Sequence, residues 1–203
     1  MTDDRESGAP REVSGGGIRT GASRRATRPL SAEAKGKTPS PDLARVARRR
    51  WPSGVTVVTT VVDASHGGGF RGLTVSAFTV VSLEPPIVLV CIDRDIEMLR
   101  LIETANRFAV SILDRDQQVY ADLFAGLGPR PSREFQGIPH HLLPSGSPGL
   151  DNASAWFDCA VDQIVESGDH AVVFGTVTAI VLGPERDDPL ISYDGAYRRI
   201  ESG

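Results

Sequence analysis

The spacing of apolar residues changes period several times along the chain, and each change marks an element. "SPDLARVARRRW" (40–51) sets Leu43, Val46 and Ala47 on one helical face, with Ser40 as a candidate N-cap and Pro41 at the first helical position. "GVTVVTTVVD" (54–63) is rich in β-branched residues and runs into the turn material "ASHGGGFRG", which predicts a strand followed by a hairpin loop. "GLTVSAF" (72–78) and "PPIVLVCID" (85–93) are the next two strands. Helical spacing returns in "EMLRLIETAN" through Met98, Leu99, Leu101 and Ile102, and "RFAVSIL" reads as strand again. "DQQVYADLFAG" predicts a helix with Asp116 as N-cap and Gly126 as stop. Beyond a Gly/Pro/Ser-rich loop at 127–149, the runs "WFDCAVDQIVES", "HAVVFGTVTAIVLG" and "PLISYDGAYRRI" supply three more strands. Several strands separated by hairpin signals, with two or three helices, predict a mainly β, antiparallel barrel with flanking helices. Without regular strand–helix alternation, a doubly wound parallel sheet is not expected.

One stretch breaks this pattern. In "GLTVSAFTVVSLEPPIVLVCID" (72–93), two apolar runs bracket Thr74, Ser76, Ser82 and the adjacent Pro85 and Pro86. Prolines have no N–H to give a ladder, so they end strand pairing and open the edge of a barrel. Thr74 and Ser76 either line the solvent face of an edge strand or face a ligand.

Charge divides the chain. Of 22 basic and 26 acidic residues, 12 and 6 fall in residues 1–50, which leaves 10 and 20 beyond that point and a body near −10. The first 40 residues are basic, Gly/Ser/Pro-rich and poor in large apolar side chains, which predicts a disordered extension over 1–40 and a folded domain over 41–203. Its arginines are scattered without interleaved aromatics, so a solvated extension is favoured and no nucleic-acid partner is expected. Early acidic residues (Asp3, Asp4, Glu6) argue against a transit peptide, and no run of about 18 apolar residues suggests a membrane span. A cytoplasmic location is expected, with Cys91 and Cys159 as reduced, buried small hydrophobes. No metal is expected: C-x-x-C and H-E-x-x-H are absent, and His140 and His141 point apart if extended. P-loop, G-x-G-x-x-G and G-x-S-x-G signatures are also missing, so an enzyme here would rely on cofactor chemistry.

The motifs "PSGVTVVTT", "GLTVSAFTVVSLEPPIVLVCIDRD", "RFAVSIL", "DQQ", "LFAG", "ESGDHAVVFGTV" and "PLISYDGAYRRI" occur in one order over 50–200. In that order the chain resembles flavin reductase domains of the FMN-binding split-barrel superfamily, the small reductase components of two-component flavin monooxygenases. The resemblance implies an NAD(P)H-dependent flavin reductase that passes hydride to FMN, or to FAD, with NADH or NADPH as co-substrate. It further implies a homodimer that serves an oxygenase partner. The alternative is a flavin- or haem-binding split-barrel protein without catalysis, or one acting on an acceptor such as ferric iron.

Carried over by position, the resemblance places Thr74, Val75, Ser76, Ala77 and Phe78 along the isoalloxazine and ribityl chain. Ser82, Leu83 and Glu84 would follow the tail, and Cys91, Ile92 and Asp93 would meet the ring edge. The family's hydroxyl-bearing turn is "DRDIE" here, which leaves Arg94 and Arg100 as candidates for the phosphate. "SREFQG" likewise puts Glu134 before Phe135, with Arg133 one place earlier, where the family has a basic residue. In "SGDH", His170 is implied as the catalytic residue near flavin and nicotinamide; a half-exposed histidine on a capped turn is the alternative. Tyr193 and Tyr197 match a motif that closes the site, against simple packing at a strand end, and Arg198 is either a phosphate contact or a surface cation.

Overall fold

A computed structural model describes residues 38–127, 135–185 and 188–200. Residues 1–37, and with them nearly all of the extension expected over 1–40, lie outside the described residues, as do Arg133 and Glu134. Among the described residues the first element is helix α1 (Pro41–Arg49), where the Ser40 hydroxyl accepts a hydrogen bond from the Leu43 N–H (3.3 Å), as its sequence predicts. Then come β1 (Ser53–Gly54), β2 (Thr56–Val61), β3 (Phe70–Val75), β4 (Phe78–Leu83), β5 (Pro86–Asp93), α2 (Glu97–Ala105), β6 (Arg107–Ile112) and α3 (Gln118–Phe124). The hairpin β7 (His140–Leu142) and β8 (Pro148–Leu150) precedes two long strands, β9 (Ala155–Ser167) and β10 (His170–Leu182). A short hairpin, β11 (Ile191–Tyr193) and β12 (Ala196–Arg198), ends the domain and pairs with β1.

Seven strands form one antiparallel sheet in the order β3-β2-β6-β9-β10-β5-β4. Its two outermost strands, β3 and β4, are separated in the chain by only Ser76 and Ala77. A flat sheet cannot satisfy both facts, because its edges would stand six strand spacings apart, roughly 28 Å. The sheet therefore curls until its edges meet at one corner, where the Cys91 N–H donates to the Ala77 carbonyl (3.0 Å). This is the split antiparallel barrel expected from the sequence.

β2 is buried along both faces, which explains its unbroken β-branched run. Val58 faces the barrel interior with Leu73, Val75, Val90, Ile92, Phe108 and Val110, and α2 adds Met98, Leu99 and Ile102. Val57 faces a second core with Val55, Leu113, Ala121, Phe124, Phe135 and Leu190. Its buried threonine hydroxyls are all satisfied: Thr56 donates to Val75 O (2.7 Å), Thr59 to Pro148 O (2.5 Å) and Thr60 to Arg107 O (2.7 Å). α3 lies against β3, where the Thr74 hydroxyl donates to Ala121 O (2.6 Å) and a Cβ on Gly72 would stand 2.6 Å from the Phe124 ring. The last hairpin is held to the same helix, since Tyr197 packs on the second core beside Asp122. Burial, then the Asp122 charge and its hydrogen bond, push the Tyr197 phenol up to about 12.

Several local expectations change. "FTVVSL" is a strand: β4 pairs with β5 through Phe78↔Val90, Thr79↔Leu89 and Leu83↔Pro86, with a bulge between Val80 and Ser82. Pro85 and Pro86 thus close a hairpin at the sheet edge, and the opening lies at the other end of β4. α3 is entered from Asp114, whose N–H is held by the Gln117 side chain (3.0 Å), and not from Asp116. The loop at 127–149 contains most of the β7–β8 hairpin, whose tip is braced by buried Asp158 through the Ser145 N–H (2.7 Å). His140 and His141 lie on β7 and turn to different partners, Ile138 O (2.7 Å) and Asp151 (2.9 Å).

Gly72→Ala is expected to cost about 1–3 kcal/mol, because the buried Phe124 ring has no room to withdraw. Chemical denaturation measures it, and a loss under about 0.5 kcal/mol would mean the helix simply shifts. Because folding raises the Tyr197 phenol above its ordinary value of 10.0, the folded state keeps this proton while the unfolded chain loses it. Stability from this group is complete below pH 10 and is lost as pH rises toward about 12. In an alkaline absorbance titration of the three tyrosines, the latest ionisation should vanish in Tyr197→Phe; its persistence would assign it elsewhere.

Candidate functional site

A cleft of about 620 Å³ opens at the corner where β3 gives way to β4. That volume falls within the roughly 300–1,000 Å³ of small-molecule sites. Ser76 and Ala77 form one wall; both are exposed, and apart from the Ala77 carbonyl, which accepts from the Cys91 N–H, their main chain stands outside the β2–β3 and β4–β5 ladders. Phe78, Thr79, Leu89 and Cys91 continue that wall along β4 and β5. The facing side is made by Ser53 and Gly54 of β1, the hairpin turn 192–195, Trp51, and Arg48 and Arg49 at the end of α1. At Gly54 no atom lies within 4 Å of where a Cβ would sit, so the cleft floor there is bare backbone. The α1 end is fastened to the hairpin by the Asp194 N–H, which donates to Arg49 O (2.8 Å).

The residues implied by the resemblance divide into three groups. Ser76, Ala77, Phe78, Cys91 and Tyr193 line the cleft. Val75 and Ile92 turn their side chains into the barrel core, Thr74 spends its hydroxyl on α3, and Tyr197 packs toward Asp122; a ligand could meet only the main chain of the first two. Ser82 sits further along β4, opposite Ile87, outside the cleft lining. Asp93 and His170 form a third group. They are register partners on β5 and β10, so His170 shares a sheet face with Asp93 and with Cys91 two residues away. This sets His170 beside the cleft, about 7 Å further along the sheet than Cys91.

The "SGDH" turn orients that histidine. Gly168 has φ 64, and His170 Nδ1 lies 2.7 Å from Asp169 Oδ1. The hydrogen bond from His170, followed by its charge, holds the Asp169 carboxyl below its ordinary value. An ionised carboxylate only accepts, so Nδ1 carries the proton of this hydrogen bond. Arg94 braces the same turn: its N–H donates to Asp169 O (3.1 Å), and its guanidinium donates to Gly168 O (3.3 Å) and pairs with Glu166 (3.0 Å). Asp93 accepts from the Asp95 N–H (2.9 Å), which closes "DRDIE" upon itself. Burial pushes the Cys91 thiol up, away from thiolate chemistry.

Arg48, Arg49, Trp51 and Gly54 are cleft residues that the sequence did not single out. Their one signal in the sequence is the proximity of "RRRWPSG" to a motif that does line the cleft.

The bare floor at Gly54, the exposed Ser76–Ala77 connection and the Leu89 side chain, which points away from the barrel core, fit a flat heteroaromatic ring with polar edges, as in a flavin. Comparison with known proteins agrees. The pattern described as "Flavin reductase like domain" matches residues 48–201. An NADH-dependent FAD reductase of Streptomyces globisporus is 36% identical over 161 residues, covering 76% of this chain and 85% of the relative. The reductase subunit HsaB of a flavin-dependent monooxygenase of Mycobacterium tuberculosis is 35% identical over 150 residues, covering 73% and 76%. A longer relative, a probable flavin reductase of Rhizobium meliloti, is 36% identical over 140 residues; the match takes in 68% of this chain but 43% of that protein. Among solved structures, the flavin reductase PheA2 in its native state superposes with a TM-score of 0.72 at 34% identity, covering 80% of this chain and 99% of that one. Fold, cleft and sequence similarity converge on one conclusion: the chain belongs to the flavin reductase-like domain family.

Proposed function

We propose that this protein is an NAD(P)H:flavin oxidoreductase, using FMN or FAD, that supplies reduced flavin to an oxygenase partner. The observation that carries the reading is the cleft at the β3–β4 corner, where exposed main chain of Ser76 and Ala77 meets the apolar wall of β4 and β5. A flavin bound there would supply the hydride acceptor for C4 of a dihydronicotinamide, with a proton from solvent balancing the reduction. The chain's own residues orient and polarise. Leu89 would give the ring an apolar backing, while Phe78, packed on the barrel core against Phe157, stiffens the strand beneath it, and the bare Gly54 floor would admit the ring without a side chain to displace. Main-chain N–H groups at Ser76 and Ala77 would be the donors available to stabilise negative charge on a reduced ring held in the cleft. His170, fixed through Nδ1 by Asp169, offers Nε2 beside the cleft to a nicotinamide ring. Holding two rings in contact can account for much of such a barrier, and no side-chain base is needed.

A relative named as the reductase subunit of a monooxygenase supports the oxygenase partner. The names of relatives favour NADH over NADPH. A homodimer is supported by the apolar residues exposed on β4, where Val80 is 43%, Val81 49% and Leu83 85% accessible, and by α1, which buries none of its residues. Among the described residues no helix is long and apolar enough to cross a membrane. Two free cysteines, one of them buried, suit the reducing cytoplasm.

Purified protein mixed with FMN and NADH should oxidise the dihydronicotinamide at a flavin-dependent rate, followed by its absorbance. Absence of oxidation with either pyridine nucleotide would leave a flavin-binding protein without reductase activity. His170→Ala should raise the KM for NADH by about 10- to 100-fold, the loss expected for one or two buried polar contacts, with FMN affinity little changed. An equal loss of FMN binding would instead mean that the histidine supports the cleft.

A further inference from the structure

The β9–β10 turn uses up Arg94, one of the two arginines of this stretch that the sequence offers for a phosphate: it is held by Gly168, Asp169 and Glu166, while the other, Arg100, lies on α2 outside the cleft lining. "DRDIE" adds two carboxylates beside it, Asp95 and Glu97. A nucleotide bound in the cleft would therefore find its anionic end unmet on that side. The other rim is different. Arg48 and Arg49 line the cleft, and among the described residues neither guanidinium has an ion-pair or hydrogen-bond partner. The sole charged neighbour in the lining is Asp194, whose main chain fastens the end of α1 at Arg49 O and so fixes where the two arginines emerge.

We propose that Arg48 and Arg49 form the phosphate clamp of this cleft, binding the phosphate or pyrophosphate of the nucleotide that lies in it. The proposal rests on the flavin reductase reading and adds the residues that read the nucleotide end. Charge makes it physically necessary for something to do so: residues 51–203 carry 10 basic against 20 acidic side chains, a body that repels a nucleotide dianion. Two adjacent guanidiniums without partners at a cleft rim reverse that field locally. Each offers the forked donors that match phosphate oxygens. Arginines in a helix's last turn also complement the helix dipole. That role alone does not require them to line a cavity or to stand without carboxylate partners.

The shared chemistry, a nucleotide phosphate, has two sources, the flavin and the dihydronicotinamide dinucleotide. The test uses the full chain and the double variant Arg48→Gln/Arg49→Gln. FMN and riboflavin affinities are measured by quenching of flavin fluorescence, and KM values are measured for NADH and for dihydronicotinamide riboside. If the clamp holds the flavin, FMN affinity falls about 10- to 100-fold while riboflavin affinity stays, the fold-change expected for one or two charge-assisted hydrogen bonds. If it holds the dinucleotide, the KM for NADH rises by a similar factor while that for the riboside stays. Both ratios unchanged overturns the proposal, as does an equal loss for the phosphate-free compounds. Arg48→Lys/Arg49→Lys, which keeps charge but not the fork, should recover part of the affinity and serves if the glutamine variant does not fold. Wild-type protein that binds no flavin would overturn the reductase reading instead, so the two failures are told apart.

Discussion

The structure turns on a two-residue connection. β3 and β4 lie at opposite ends of a seven-stranded sheet, yet only Ser76 and Ala77 separate them in the chain. This one constraint forces the sheet to curl. At the meeting point the two strands diverge to pair with β2 and β5 respectively, and the bond from the Cys91 N–H to the Ala77 carbonyl ties the connection to β5. Backbone polar groups are ordinarily satisfied within a fold. Here a short segment stays exposed, and it borders the cleft.

The surrounding contacts hold that corner in place. α3 fixes β3 through Thr74 and through the close fit of Gly72 to Phe124, while the Ala77 carbonyl ties the corner to β5. The C-terminal hairpin is joined to α3 by Tyr197 and to α1 by Asp194, so the two sides of the cleft share one scaffold. Buried polar groups in β2 are each paired, which makes this central strand a firm reference for both cores.

Electrostatics adds a second layer of organisation. An acidic body carries an arginine-rich α1, and the "SGDH" turn carries an ordered Asp169–His170 pair on the neighbouring sheet face. Arg94, which in sequence looks equivalent to the α1 arginines, is committed to the turn that precedes His170, whereas Arg48 and Arg49 line the cleft.

Periodicity and β-branched runs were enough to place β2, β5, α2, β6, β9 and β10, since these elements bury a face and their patterns record it directly. β4 escaped because a strand at a sheet edge leaves Val80, Val81 and Leu83 exposed, so burial imposes no alternation on it. Motif order revealed the family, and it pointed to Ser76, Ala77, Phe78, Cys91 and Tyr193, all of which meet in the cleft. Which members of a motif turn toward that cleft was decided only by tertiary structure. Thr74 and Val75 are adjacent to Ser76, yet one bonds to α3 and the other fills the core, because alternate strand residues face opposite sides and the strand ends where the corner begins. The arginines of α1 join the site from about 30 positions away, and no local pattern could show it: their place depends on the fold bringing a helix end to a distant hairpin turn.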